Sequence, residues 1–108
     1  TASGLEILTR DGEWIPVDTL RGQIVVDSGD MLSRITNGVI PATTHRVVNP
    51  PSPAEDNTRY SMPFFVHPYP ECMLSPLPQT VTPDKPGEPP ITADAFLQQR
   101  LREIGLIK

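Results

Sequence analysis

With 108 residues, 37% of them hydrophobic, and a net charge of −4, the chain has the length of one domain with a modest core. Its nine basic residues form no run along the sequence, which argues against a surface for nucleic acid or anionic lipid. The single cysteine excludes an internal disulfide, and no stretch reaches the roughly 18 apolar residues of a membrane span. We therefore expect a cytoplasmic protein with no nucleic-acid or membrane partner.

The first predicted element is a β-hairpin. Two apolar runs, residues 4–9 and 14–17, flank an Asp11-Gly12 pair, which is typical of a tight turn between antiparallel strands. A third strand is predicted over residues 23–27, where a β-branched run without clean alternation indicates a strand covered on both faces. The chain thus begins with β structure.

The middle of the chain is predicted to place a short helix before another strand. Asp30 is expected to cap a helical turn over residues 31–34, and Asn37-Gly38 favours a tight turn with positive φ angles. The next strand covers about residues 42–48. An exposed loop is predicted over residues 49–57 because it contains three prolines and several polar residues.

The last predicted strand, residues 59–66, is followed by a proline-rich segment and a helix. Prolines recur between residues 67 and 90, which excludes helix and central strand and predicts an extended strap. Thr92 is expected to cap a helix that runs to about residue 104, and Gly105 is a natural stop. The apolar side chains of this helix recur on one face: Phe96, Leu97, Leu101 and Ile104.

These elements predict a mainly β fold. Five or so short strands joined by turns, with one helix outside, are typical of an antiparallel β-sandwich or barrel. Five strands are few for a closed jelly roll, which needs eight, so we expect an incomplete sheet with open edges.

His45 is the first candidate for chemistry. Strand alternation places Thr43, His45 and Val47 on one face, so we expect the imidazole to point into the interior among apolar neighbours. Spacing alone leaves two interpretations: a core histidine satisfied by a hydrogen bond, or a metal ligand.

Arg59 and Ser61 are the second candidate. The same alternation places them on one face, about 6.6 Å apart along the strand. A guanidinium can bind a carboxylate through two hydrogen bonds, and a serine hydroxyl can donate one more to the same group. The alternative is an exposed arginine paired with Glu55 or Asp56 in the preceding loop.

Other reactive residue types carry no predicted role in chemistry. His67 lies too far along the predicted strand from Arg59 to serve one small site, so we interpret it as structural. Cys72 has no basic neighbour in the sequence that would lower its pKa. Asp30 is interpreted as a helix cap, and Asp27 is left without a role.

Four short runs occur in order along the chain: Gly29-Asp30-Met31-Leu32, Thr36-Asn37-Gly38, Thr44-His45-Arg46-Val47-Val48-Asn49, and Arg59-x-Ser61 with Phe64-Phe65. Their order and spacing resemble the C-terminal half of the iron(II)/2-oxoglutarate-dependent dioxygenases of the isopenicillin N synthase-like group. The resemblance covers about residues 4–70 and implies a partial double-stranded β-helix (jelly roll) with a C-terminal helix. Residues 1–70 would be the C-terminal part of the jelly-roll core, and residues 71–108 a strap and helix that pack on it.

The resemblance also implies roles for four residues. His45 would be the second histidine of the 2-His-1-carboxylate triad that binds Fe(II). Arg59 and Ser61 would bind the distal carboxylate of the cosubstrate 2-oxoglutarate, and Phe65 would line the pocket for the primary substrate. The implied activity is oxidation of a small organic substrate with O2, giving succinate and CO2.

Two ligands of this triad are not in the chain. The family's His-x-Asp or His-x-Glu pair has no match here, and the chain begins without methionine, so we expect it to be a piece whose N-terminal remainder supplies that pair. The segment alone is predicted to be inactive. Two alternatives stay open: a non-catalytic β-sandwich module that binds a ligand or partner, and a family member that uses no 2-oxoglutarate.

Overall fold

The computed structural model describes residues 4–49 and 60–108. The described residues belong to two compact units. The first contains the residues up to Asp27 and those from Thr43 to Phe64, and the second contains Ser28 to Ala42 and Phe65 to Lys108. The helices and strands, in chain order, are β1 (Leu5–Leu8), β2 (Trp14–Pro16), α1 (Asp30–Ile35), β3 (His45–Val47), β4 (Met73–Leu74), a 3-10 helix (Pro78–Thr80), β5 (Ile91–Thr92) and α2 (Ala93–Glu103).

The first unit is built on a three-stranded antiparallel sheet with the order β2-β1-β3. The predicted hairpin is confirmed, since β1 pairs with β2 around a turn in which Gly12 has a φ of 85°. The Thr9 amide donates to the Glu13 carbonyl at 2.8 Å and closes that turn. The strand predicted at residues 42–48 is present but shorter, because pairing with β1 extends only over His45–Val47.

Two predicted strands do not form. Residues 23–27 and 60–66 have no strand geometry, and Arg59 lies outside the described residues. Their apolar side chains stay in solvent, with Ile24 87% and Met62 96% exposed. A strand needs a neighbour that forms hydrogen bonds with its N–H and C=O groups. No strand in the described part of the chain pairs with these two runs.

The second unit has a small core formed by Leu74, Ala93 and Phe96, with Met31, Ile35 and Ile91 packed against it. Strands β4 and β5 form a two-stranded antiparallel sheet. The proline-rich strap is therefore less extended than predicted: it contains β4 and a 3-10 helix, which tolerates Pro78 at its first position because that residue needs no N–H donor there.

The N-terminal cap of α2 is predicted correctly, and that of α1 is not. The Thr92 hydroxyl accepts the Ala95 amide at 3.2 Å and caps α2, as predicted. In α1 the cap position is Gly29 and makes no side-chain hydrogen bond, so the prediction that Asp30 caps α1 is wrong. Asp30 is the first helical residue, and its carboxylate faces Arg100 of α2 at 3.6 Å.

The turn after α1 and the end of α2 follow the predicted pattern closely. Asn37 and Gly38 have φ angles of 50° and 72°, which confirms the predicted turn. Gly105 has a φ of 75° directly after α2. Ile104 is 68% exposed, so the apolar face of α2 ends before it.

The five strands and the C-terminal helix seen in residues 4–49 and 60–108 agree with the predicted mainly β class, whereas the complete double-stranded β-helix stays a prediction. Among the described residues, no helix has the length and apolar character needed to cross a membrane.

Candidate functional site

His45 lies at the start of β3, directly opposite Ile7 of β1, which in turn faces Ile15 of β2. These three side chains form a row on one face of the sheet, because opposed residues of antiparallel strands share a face. The His45 side chain is 54% exposed, so the prediction that it points into the interior is wrong. Nothing in the described part of the first unit covers it fully.

The ring nitrogen Nδ1 of His45 faces two acceptors. Asp27 Oδ2 lies 3.3 Å from it, and the Thr43 carbonyl oxygen lies at the same distance of 3.3 Å. Because a carbonyl oxygen can only accept a hydrogen bond, the contact with Thr43 is a hydrogen bond in the tautomer that carries the proton on Nδ1. In the neutral ring Nε2 then keeps its lone pair, which is the form in which a histidine binds a metal ion.

The opposite face of β3 is held by Arg46. Its Nε donates to Glu6 Oε2 at 2.7 Å, and its guanidinium carbon lies 4.1 Å from the centroid of the Trp14 ring. Glu6 and Arg46 are directly opposed across β1 and β3, so this pair fixes the register that sets the position of His45.

Asp27 is the residue that the sequence did not identify. It follows the apolar run at residues 24–26 and carries no motif of its own, so no local signal points to it. Only the folding of the first unit brings its carboxylate, 49% exposed, to the ring of His45.

The other predicted site residues are placed as follows. Arg59 lies outside the described residues, so its predicted pairing with a carboxylate stays a prediction. Ser61 is exposed and makes no hydrogen bond or ion pair with the described residues. Phe65 is 76% exposed, and its ring centroid lies 6.1 Å from that of His67. The structure therefore does not join Ser61 to His45 by any polar contact among the described residues.

One predicted metal ligand, His45, lies among the described residues. In the part of the chain that the structure describes, no group of three or more histidine, cysteine, aspartate or glutamate side chains could hold a metal. His45 fits a metal centre through the chemistry of its free Nε2, but the remaining ligands are not among these residues. Cys72 is exposed and forms no disulfide.

A family model described as the 2OG-Fe(II) oxygenase superfamily matches residues 1–68. The chain is 34% identical over 99 residues to 1-aminocyclopropane-1-carboxylate oxidase 1 of Malus domestica, covering 89% of this chain and 30% of that protein. It is also 34% identical over 97 residues to gibberellin 3-beta-dioxygenase 2 of Arabidopsis thaliana, covering 88% of this chain and 26% of that protein.

Solved structures give the same result. A 2OG-Fe(II) oxygenase family protein from Caulobacter crescentus is 50% identical, with a TM-score of 0.85 over 94% of this chain and 34% of its own. A full-length Neurospora crassa protein in complex with alpha-KG is 27% identical, with a TM-score of 0.75 over 93% of this chain and 31% of its own. The chain thus spans about a third or less of the length of these proteins.

Proposed function

The chain belongs to the 2OG-Fe(II) oxygenase superfamily, and we propose that it is the C-terminal segment of the catalytic domain of an Fe(II)- and 2-oxoglutarate-dependent oxygenase. The whole protein would oxidise a small organic substrate with O2 and convert 2-oxoglutarate to succinate and CO2. The observation that carries this proposal is the family match over residues 1–68, which includes His45 with its Nδ1 held by two acceptors.

In this proposal His45 binds iron through Nε2. The sheet row with Ile7 fixes the backbone of His45, and the two acceptors on Nδ1 orient the ring. The iron, when bound, activates O2 together with 2-oxoglutarate, so the reactive chemistry belongs to the bound groups and the chain mainly positions them.

Arg59 and Ser61 bind the distal carboxylate of 2-oxoglutarate. A planar guanidinium offers two parallel N–H donors to a carboxylate, and the serine hydroxyl adds a third hydrogen bond. Phe65 contributes an apolar wall to the pocket of the primary substrate. The exposure of the Phe65 ring supports this role. The ring is 76% exposed to water, and covering it with a ligand or another part of the protein would be favourable in free energy.

The remaining iron ligands come from the N-terminal remainder of the domain. The exposed apolar side chains within residues 23–27 and 60–66 support this part of the proposal, since Val26 is 88% and Phe64 89% exposed. Neighbouring strands from the remainder would convert both runs into strands of a double-stranded β-helix. Residues 1–70 then complete the jelly-roll core, and residues 71–108 pack on it.

The test is an anaerobic titration of the full-length protein with Fe(II) and then with 2-oxoglutarate. His45→Ala is expected to weaken Fe(II) binding strongly, whereas Arg59→Ala weakens 2-oxoglutarate binding and leaves Fe(II) binding near that of the parent. His67→Ala is the matched control, because His67 is the second of the two histidines and has no proposed ligand role. If both the His45 and Arg59 variants bind like the parent, the site assignment is wrong.

The similarity to 1-aminocyclopropane-1-carboxylate oxidases keeps one alternative in view. A family member that uses no 2-oxoglutarate would use Arg59 and Ser61 to bind a carboxylate of another molecule. The two functions are separated by measuring CO2 release from labelled 2-oxoglutarate by the full-length protein, without any added primary substrate. Only the 2-oxoglutarate-dependent enzyme releases labelled CO2.

A further inference from the structure

The surroundings of His45 contain a carboxylate to which nothing in the family match assigns a role. Asp27 ends an apolar run in the first unit, and its Oδ2 lies 3.3 Å from His45 Nδ1. Both side chains are about half exposed, 54% for His45 and 49% for Asp27. The protein therefore shields the contact from water only in part.

The two acceptors on Nδ1 differ in what they can do. The Thr43 carbonyl belongs to the backbone two residues before His45, so it is present whatever the side chains are, and its distance of 3.3 Å equals that of Asp27. The Asp27 carboxylate carries a charge and reaches the ring from a separate part of the chain. A charged acceptor raises the electron density of an imidazole more than a neutral carbonyl does, and this makes the opposite nitrogen a better metal ligand.

We propose that Asp27 is a positioning residue for His45: its carboxylate holds the ring with the proton on Nδ1 and the Nε2 lone pair directed to the metal. This inference rests on the proposed role of His45 as an iron ligand. Asp27 does not touch iron or substrate, and its effect passes entirely through the imidazole. Carboxylates in this outer position commonly change metal affinity by about 10- to 100-fold.

The experiment uses the full-length protein and three variants. Asp27→Ala removes the acceptor, Asp27→Asn keeps an acceptor oxygen of similar shape but removes the charge, and Asp18→Asn is the matched control. Asp18 is an exposed aspartate of the same unit without a hydrogen bond or ion pair among the described residues.

The first readout needs no metal. Long-range ¹H–¹⁵N spectra of the metal-free protein report which ring nitrogen of His45 is protonated. The expected result is a ring protonated on Nδ1 in the parent and in the Asp18→Asn variant. In Asp27→Ala the population protonated on Nε2 rises, and in Asp27→Asn the Nδ1 form is largely restored because the amide oxygen still accepts.

The second readout is anaerobic Fe(II) affinity. Asp27→Ala is expected to weaken it about 10- to 100-fold and Asp27→Asn by a smaller factor, with no change in Asp18→Asn. An unchanged tautomer together with an Fe(II) affinity within twofold of the parent in Asp27→Ala would overturn the proposal. If His45→Ala leaves Fe(II) affinity intact, the proposed function fails instead, and the tautomer spectra still decide whether Asp27 orients the ring. If Asp27→Ala does not fold, Asp27→Leu takes its place with the same expected results, because leucine has a similar shape and no acceptor oxygen.

Discussion

Asn37 and Lys85 are joined by a hydrogen bond of 3.0 Å, which runs from the Asn37 side-chain amide to the Lys85 carbonyl oxygen. The same amide donates to the Thr80 carbonyl at 3.0 Å, so one side chain fastens the turn after α1 to the proline-rich strap. Asn37 is only 9% exposed and has a positive φ of 50°. The residue therefore meets two requirements at once, a left-handed backbone and two side-chain donors.

We expect Asn37→Asp to destabilise the protein by about 2–4 kcal/mol, because it replaces the amide donor by a charged acceptor that faces two carbonyl oxygens. Asn37→Gly relieves the backbone but loses both hydrogen bonds, so its cost is smaller, about 1–3 kcal/mol. Urea unfolding of both variants measures the difference. A variant Asn37→Asp as stable as the parent would show that these two hydrogen bonds do not hold the strap.

Local signals were sufficient where the determinants lie close in sequence. The hairpin of β1 and β2 follows from the Asp11-Gly12 turn, and α2 begins at Thr92 because a hydroxyl at that position satisfies a free amide of the first turn. These predictions needed only neighbouring residues, and the structure confirms them. The resemblance in the four short runs likewise identified the family correctly.

Predictions failed where the outcome depends on distant partners. Residues 23–27 have a strand-like sequence but no paired neighbour, and a β-branched run cannot satisfy its own backbone. The contact between Asp27 and His45 depends on how the first unit folds, so no spacing rule could have revealed it. The prediction that His45 is buried failed in the same way. The alternation of side chains along a strand fixes the face on which a side chain lies but not what covers that face.

Arg34 is expected to stabilise the second unit through its contacts with Phe96 and Pro89 more than through its ion pair. Its side chain is 10% exposed, its guanidinium carbon lies 5.1 Å from the Phe96 ring centroid, and one of its terminal nitrogens donates to the Pro89 carbonyl at 2.6 Å. The paired Glu88 side chain is 72% exposed, so solvent screens the ion pair.

Arg34→Ala should therefore lower the free energy of unfolding by about 2–3 kcal/mol, whereas Glu88→Ala should cost about 0.5 kcal/mol or less. Arg21→Ala is the matched control, because Arg21 is exposed and forms no ion pair in the described part of the chain. Chemical denaturation of the three variants measures these values. Equal losses for Arg34→Ala and Glu88→Ala would show that the ion pair dominates after all.

The acid end of the stability curve should depend on Glu103 at the end of α2. The pKa of Glu103 is lowered from its ordinary value, first by the hydrogen bond from the Gln99 side chain and then by Arg100, and desolvation opposes both. The Gln99 amide nitrogen donates to Glu103 Oε1 at 2.9 Å. A carboxyl whose pKa is lowered on folding stabilises the protein above its ordinary pKa, and this contribution is lost as the pH falls through the lowered value.

Gln99→Ala is expected to raise the pKa of Glu103 toward its ordinary value and so to reduce the part of acid destabilisation that comes from this group. Titration of the Glu103 side chain by NMR measures the shift directly. Gln98→Ala, at the neighbouring position of the helix, should leave the titration of Glu103 unchanged. An unchanged pKa in Gln99→Ala would assign the lowering to Arg100 instead.

The exposed run at residues 23–27 gives a test of the proposed domain that is independent of catalysis. If the N-terminal remainder supplies neighbouring strands, the amides of Val25 and Val26 should exchange with solvent at least about 100-fold more slowly in the full-length protein than in the 108-residue chain. The amide of Ile7 is the internal reference, since β1 is already paired on both sides in this chain. Fast exchange of Val25 and Val26 in both proteins would mean that no strand covers this run.

The 108-residue chain alone is expected neither to decarboxylate 2-oxoglutarate nor to bind Fe(II) tightly. It offers one histidine ligand, and no cluster of three metal-binding side chains exists among its described residues. An iron site of the 2-His-1-carboxylate type needs all three ligands to leave defined open positions for O2 and the cosubstrate. Release of CO2 from labelled 2-oxoglutarate, compared between this chain and the full-length protein, measures the difference. Turnover by the isolated chain that is lost in His45→Ala would show that a complete iron site can assemble without the remainder.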